Sequence, residues 1–308
     1  MIAPPHQDLP VSPPTLEPEL AWSLLLTLRT RAKASEPLPD RFGLSLDNQG
    51  QIHLVPANDH STLLEISGGG RWSARASVTP AASEQLDLYL PLALASHTQP
   101  LTVAHLGQSL DGYIATLTGA SRYVNGPENL THLHRMRALS DAVVVGAHTV
   151  ACDNPQLTTR RVVGPNPVRV ILDPRRRLDA RWALFQDPAA PTLLVCDETR
   201  VDSAKWGHAD ILGVPCVGQR LDLRAVFVRL RARGLFGIFV EGGGLTVSAF
   251  LEEKLLDRLQ ITVAPLIIGS GRRSVTLPPI LDLADGLRPP HRRYPMGEDV
   301  LFDCHLRP

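Results

Sequence analysis

The chain has 308 residues, enough for one large domain or a large domain with a smaller partner, and its 44% hydrophobic and 20% charged residues exclude a disordered, collagen-like or low-complexity protein. Lys+Arg and Asp+Glu both number 31, so no global charge draws it to nucleic acid or to an anionic membrane, and any phosphate chemistry has to be local. Its 4 cysteines form no C-x-x-C pair, no run approaches about 18 uninterrupted apolar residues, and the start lacks the pattern of a secretion signal; a reduced, cytoplasmic location is expected.

The first twenty residues contain 6 prolines and read as an extended tail. From Glu17 to about Ser35, Leu20, Ala21, Leu24, Leu25 and Leu28 recur at helical spacing, with Arg29, Arg31 and Lys33 gathered at the end that favours cations. FGLSLDNQGQIHLVP then places two alternating runs around Asp47–Gly50, a β-hairpin pattern. Residues 61–90 are ambiguous, with Gly68-Gly69-Gly70 as a break and SEQLDLYLPLAL as a second apolar segment. Residues 1–98 are assigned to a small α+β module that shows no chemistry of its own and suits a packing or dimerisation role. From residue 99 the texture changes. Strand-like runs appear at LTVAHLG, DAVVVG, VRVILD, TLLVCD, GIFVEGG and QITVAPLIIG, with amphipathic helices at 127–140, 223–234 and 245–259. Apolar strands alternating with helices predict an α/β fold whose mixed, mostly parallel sheet is flanked by helices, with ligands beyond the strands' carboxyl ends.

Three such ends carry candidate chemistry. Glu241 is followed by Gly242, Gly243 and Gly244, then by Leu245 and Thr246 opening a helix, so backbone N–H groups can approach an anion. The same pattern serves a purely geometric turn, and it is neither a G-x-G-x-x-G nor a Walker sequence. Gly146 and Thr149 precede a loop with Asp153, Pro155, Leu157 and Arg160, which suits either a ligand or an ordinary βα turn. The third segment runs from Gly107 through Ser109, Asp111 and Gly112 to Gly119, Ser121, Tyr123, Asn125 and Gly126, either a loop closing over a ligand or a surface hairpin. The helix after it carries Arg137; His132 and His134 lack the partners a metal site needs.

Together these pieces resemble the pyrimidine reductase family of riboflavin biosynthesis, the reductase half of the bifunctional deaminase-reductase, over about Leu101 to Gly271. The marks are S-L-D-G at 109–112, G-x-S at 119–121, L-H-R-M-R-A at 133–138, D-A-V-V-V-G-x-x-T at 141–149, D-x-P-x-L-x-x-R at 153–160, P-V-R-V-I-L-D at 167–173, and V-E-G-G at 240–243 followed by P-L-I-I-G. The resemblance implies a dihydrofolate-reductase-like fold and NADPH as cofactor. It implies that Gly107, Tyr123, Gly146, Thr149 and Asp153 contact NADPH, and that Gly242, Gly243, Gly244, Leu245 and Thr246 cradle its phosphates. Ser121, Arg137, Leu157, Arg160 and Glu241 match positions that hold a pyrimidine ribosyl phosphate, Asp153 is the expected proton handler, and Arg175–Arg177 are candidates for the cofactor's 2′-phosphate. The expected reaction is hydride transfer to ribosyl C1 of 5-amino-6-(5-phosphoribosylamino)uracil or a related compound, giving the ribitylamine. A pterin, dihydrofolate-like or secondary-metabolite substrate is the alternative within the reductases, and a non-catalytic NADPH-binding regulator the alternative outside them. By analogy a homodimer is expected, with QITVAPLIIG as its apolar candidate. Three departures stand out: His105 occupies a position where many relatives carry Lys, Asp153-Asn154-Pro155 replaces a commoner double acid, and the H-x-E and P-C-x-x-C deaminase signature is absent.

Overall fold

A computed structural model describes residues 15–34, 37–122, 124–204 and 206–307. It divides into two compact units, Met1–Pro91 and Leu92–Pro308. In the first, helix α1 (Pro18–Ala32) opens on proline, which lacks only an N–H the first turn cannot use, and carries Arg29 and Arg31 in its last turn. Strands β1 (Arg41–Leu46), β2 (Ile52–Val55), β3 (Leu64–Ser67) and β4 (Arg71–Ala74) form an antiparallel sheet in the order β2-β1-β3-β4. The β1–β2 hairpin turns where its sequence predicts, with the Asp47 carboxylate accepting from the Gln49 and Gln51 amides. The ambiguous SEQLDLYLPLAL is helical up to Ala93, within α2 (Pro80–Ala93): Leu86, Tyr89 and Leu90 are all buried, and Pro91 lies inside the helix, where it forgoes one i→i−4 hydrogen bond.

The second unit is built on a nine-stranded sheet. In chain order its elements begin with β5 (Leu101–Ser109), β6 (Tyr113–Thr116), α3 (Pro127–Leu139), β7 (Ala142–Gly146), α4 (Ala147–Asp153) and β8 (Val168–Leu172). Then come α5 (Ala183–Gln186), β9 (Thr192–Asp197), β10 (Ala209–Val214), β11 (Cys216–Val217), β12 (Arg220–Leu221), α6 (Leu223–Arg231), β13 (Gly237–Glu241) and α7 (Gly244–Glu252). The chain ends with β14 (Arg258–Ala264), β15 (Gly271–Arg273), β16 (His291–Met296) and β17 (Asp299–His305). The sheet order is β10-β9-β8-β7-β13-β5-β14-β17-β16. All pairings from β10 to β14 are parallel, and β17 and β16 add an antiparallel edge, the mixed and mostly parallel sheet that the sequence predicts. Strands such as β7 read as continuous apolar runs because both faces are covered.

Some local expectations need adjustment. The helix expected over 245–259 stops at Glu252, because Lys254 turns into the left-handed region (φ 57) and Leu255 and Leu256 fold back into the core. QITVAPLIIG is a strand only as far as Ala264 and lies between β5 and β17, so both its backbone edges are used within the sheet. Asp111 accounts for two of the sequence marks at once. Its carboxylate accepts from Ser109 Oγ and from the Ile268 and Gly269 amides, tying S-L-D-G to P-L-I-I-G.

The topology places the site. The chain leaves β5, moves outward through β7, β8, β9 and β10, then returns to insert β13 between β7 and β5. Ligands in open α/β sheets sit beyond the carboxyl ends of strands at such a reversal. Here β7 and β13 end at Gly146 and Glu241, and Gly107 lies near the end of β5, which runs to Ser109.

Candidate active-site cleft

A cleft of about 560 Å³ opens there. One wall is the Glu241–Thr246 turn, a second is α4 with the loop to Leu157, and a third is the β6–β15 ribbon with the loop carrying Ser121. Most sites expected from sequence converge on it: Gly107, Ser121, Thr149, Asp153, Leu157 and Glu241, with Gly242, Gly243, Gly244, Leu245 and Thr246, all line the cleft. Tyr123 lies outside the described residues.

Gly146, Arg137 and Arg160 are not part of the lining. Gly146 is close behind it: a Cβ there would fall 2.5 Å from Thr246 Oγ1, so this glycine lets α7 approach β7. Arg137 sits on the last turn of α3 and its guanidinium is committed within the protein. Its Nε donates to Glu241 Oε2 at 2.7 Å, its Nη2 to Glu241 Oε1, and its Nη1 to the Thr158 carbonyl at 3.0 Å. Burial opposes the Arg137 charge, yet the facing Glu241 carboxylate outweighs it and raises the guanidinium's pKa. Arg160 donates from Nη1 to Thr158 Oγ1 at 2.7 Å, and its backbone N–H to His134 Nδ1 at 2.9 Å. Arg137 therefore acts on the cleft through Glu241. Arg175, Arg176 and Arg177 are also absent from the lining; Arg176 pairs with Asp202 at 3.0 Å and lies over the Trp206 ring.

The glycine turn fits a bound dinucleotide's phosphates. Thr149 Oγ1 accepts the Gly243 N–H at 3.1 Å, fixing the turn against α4, and Gly242 adopts φ +141, which side-chain-bearing residues avoid. The first turn of α7 then presents N–H groups and the positive end of its dipole to the cleft. Gly107 has a different reason: a Cβ there would lie 1.8 Å from Asn125 Oδ1. Asn125 is in turn held by Asp299 Oδ2 and the Thr262 carbonyl, so the C-terminal strands support the loop after Ser121.

Opposite the turn, Asp153 ends α4, and Asn154 caps it in the left-handed region at φ 42. Desolvation raises the Asp153 carboxyl above its ordinary value, against the pull of Arg272, Arg122 and His148. Leu157 is held at φ 55 with its side chain buried, a strained backbone of the kind that persists where surrounding structure dictates it, at a cost of about 1–3 kcal/mol. His105 is buried at the cleft floor, its Nε2 3.0 Å from both Asn129 Oδ1 and Thr262 Oγ1. Burial drives its pKa down to about 4, against smaller upward effects of Glu241 and Asn129, so it is neutral at pH 7. His132 Nε2 is 2.9 Å from Gln260 Oε1. Among the described residues no cluster of His, Cys, Asp or Glu has the makings of a metal site.

Sequence reasoning overlooked the basic residues of the ribbon and its loop. Arg122, Arg272 and Arg273 line the cleft, with His148 and Cys152. Arg272 and Arg273 follow the Gly269-Ser270-Gly271 turn, and a paired basic dipeptide just past P-L-I-I-G was the available signal.

A mostly parallel sheet with a glycine-rich strand-to-helix turn at its reversal, and an acid lining the same cleft, has the architecture of a ligand-binding α/β domain. The RibD C-terminal domain family matches residues 100–288, and the chain belongs to that family. A 2,5-diamino-6-ribosylamino-4(3H)-pyrimidinone 5′-phosphate reductase of Methanothermobacter thermautotrophicus is 33% identical over 221 residues, 68% of this chain and 99% of the relative. The riboflavin biosynthesis protein RibD of Escherichia coli is 29% identical over 201 residues, of which the chain spans 54%. The RibD of Aquifex aeolicus is 32% identical, with 48% of its length covered, so the chain spans about half of these RibD relatives. In fold, the chain is similar to a deaminase/5-amino-6-(5-phosphoribosylamino)uracil reductase of Thermotoga maritima, with TM-score 0.61, 23% identity, and coverage of 75% of this chain and 64% of that one. The chain is a reductase of the riboflavin-biosynthesis class, an oxidoreductase whose family implies a nicotinamide cofactor. No helix among the described residues is long and apolar enough to cross a membrane.

Proposed function

We propose that the protein is an NADPH-dependent reductase of a pyrimidine ribosylamine phosphate, either 5-amino-6-(5-phosphoribosylamino)uracil or its 2,5-diamino-pyrimidinone counterpart. The observation that carries this reading is the convergence of Gly107, Ser121, Asp153, Leu157 and Glu241–Thr246, from separate segments, on one cleft. When bound, NADPH supplies the hydride that reduces ribosyl C1. Gly244 and Leu245 would hold its phosphates through backbone N–H groups, and Thr149, which takes the Gly243 N–H, keeps that turn in place. Ser121, Leu157 and Glu241 position the ribosyl phosphate, with Arg137 fixing the Glu241 carboxylate. Asp153, whose carboxyl desolvation raises above its ordinary value, delivers a proton to the ribosyl ring oxygen as the ring opens to the imine. Hydride at C1 then leaves the ribitylamine, so one hydride and one proton account for the product.

Residues 1–98 are an appendage for packing or dimerisation in this reading, and the active protein is a homodimer; a concentration-independent monomer in sedimentation would remove that second element. The functional test follows absorbance at 340 nm with NADPH and each of the two ribosylamine phosphates. Turnover of one, abolished in Asp153→Asn, is expected. NADPH binding without turnover of either substrate would defeat the reading and favour a binding protein.

A further inference from the structure

Three arginines packed into the second unit, Arg137, Arg169 and Arg258, are matched by oxygen. Arg137 has both oxygens of Glu241 and a carbonyl. The fully buried Arg169 has the Asp187 and Ala190 carbonyls at 2.6 Å each, and Arg258 has Asp303 at 3.0 Å. Arg272 differs. It is half-buried on β15 and lines the cleft, yet among the described residues its guanidinium contacts only His148 Nε2 at 3.1 Å and Cys152 Sγ at 3.4 Å. Both contacts are made by Nη1, and neither partner is a carboxylate or a carbonyl.

The Nε and Nη2 of Arg272 have no hydrogen-bond partner among the described residues. Its Nη2 passes above Gly119, where a Cβ would come within 2.9 Å, and Gly119 itself sits at φ +93; a side chain at 119 would push the guanidinium aside. Nε and Nη2 thus present an unfilled edge of a planar fork whose geometry matches phosphate oxygens. Arg122, on the loop after β6, has no ion-pair partner among the described residues, and both arginines lie within electrostatic reach of Asp153. Two positive charges face one carboxylate in the cleft. Such an excess favours an incoming anion.

We propose that Arg272, supported by Arg122, forms an anion seat in the cleft that takes a phosphate group of a bound ligand, in addition to the amide cradle of α7. This rests on the reading of the cleft as a site for phosphorylated ligands. The phosphate belongs either to the dinucleotide cofactor or to the ribosyl 5′-phosphate of the substrate. Arg272 serves as a binding residue, using its Nε/Nη2 edge while Nη1 stays on α4 through His148.

Calorimetric titration with three probes tests this: inorganic pyrophosphate for the seat itself, NADPH for the first source, and ribose 5-phosphate for the second. Arg272→Ala is expected to weaken pyrophosphate about tenfold or more, the usual loss for a charge-assisted contact. Arg272→Lys, which keeps the charge but not the fork, recovers part of it, and the exposed Arg293→Ala recovers the wild-type value. If Arg272→Ala weakens NADPH and spares ribose 5-phosphate, the seat serves the cofactor; the reverse assigns it to the substrate. A wild-type protein that fails to bind pyrophosphate, or a folded Arg272→Ala that binds it unchanged, overturns the proposal. Pyrophosphate binding through Arg272 with no affinity for NADPH or ribose 5-phosphate would leave the seat standing and defeat the functional reading instead.

Discussion

Replacing Glu241 by Gln asks whether Arg137 is part of the frame or is available to a ligand. The two side chains are 8% and 14% exposed and meet through two parallel hydrogen bonds. Glutamine removes the charge and turns one acceptor into an N–H that faces a guanidinium N–H. Arg137 keeps only neutral acceptors, the remaining glutamine oxygen and the Thr158 carbonyl. Stranding one member of a buried pair costs about 3–5 kcal/mol, whereas removing both members together is often close to neutral. For a unit of roughly 200 residues, each kcal/mol lowers the melting temperature by about 2–4 °C, so Glu241→Gln should lose on the order of 10 °C. Scanning calorimetry on Glu241→Gln, Arg137→Met and the double variant closes a mutant cycle. The double variant should regain most of the loss. Additive effects, or a Glu241→Gln protein within about 2 °C of wild type, would show that the pair is not a structural unit and that Arg137 can leave it for a phosphate.

Acid should destabilise the fold through its buried histidines. Desolvation holds the pKa of His105 at about 4 against 6.5 in an exposed chain, and pushes His132 well below its ordinary value. Between pH 6.5 and about 4 the unfolded chain takes up protons that the folded chain refuses, so stability falls as pH drops through that window and is level above it. His105 alone accounts for on the order of 3 kcal/mol at the bottom of the window, and urea midpoints across pH should show a shallower acid limb for His105→Gln. Gly107→Ala drives a methyl into Asn125 Oδ1 and should cost about 1–3 kcal/mol by thermal melting; an unchanged melting temperature would refute the contact. Asp153→Asn should lower kcat about a hundredfold or more while leaving the NADPH Kd within a few-fold, and unchanged turnover would remove Asp153 as the proton source.

The strands that carry the cleft were legible because each is a continuous apolar run ending at Gly or Glu, a pattern that burial on both faces imposes. The glycine turn at 242–244 was legible for the same local reason. The C-terminal edge was not: HRRYPM exposes most of its residues and holds a proline, so nothing in its own periodicity marks β16, which exists because β17 supplies its partner. SEQLDLYLPLAL was ambiguous because alternation and helical spacing overlap in a short leucine-rich run. Burial of one helical face settles it.

The arginines show where sequence reasoning on the site stops. Arg137 and Arg160 come with motif positions that name a ligand role, yet what a guanidinium does depends on which oxygen reaches it first, and that is a property of the fold. Arg137 on α3 meets Glu241 from a strand more than a hundred positions away, a pairing no local pattern announces. Arg272 has no motif to recommend it, but the ribbon of β6 and β15 carries it over Gly119 to α4, where it donates to His148 and Cys152 and has the Asp153 carboxylate within electrostatic reach but forms no ion pair with it. A half-buried cation that donates to no carboxylate or carbonyl recovers only part of its desolvation cost from a carboxylate beyond hydrogen-bond reach. With the anion seat proposed above, that cost is recovered when an anionic ligand binds, and the binding energy gained there is available for orienting the reacting carbon. The division between arginines that hold the fold and those that await a ligand is therefore read from their oxygen partners, and in this chain it falls between Arg137 and Arg272.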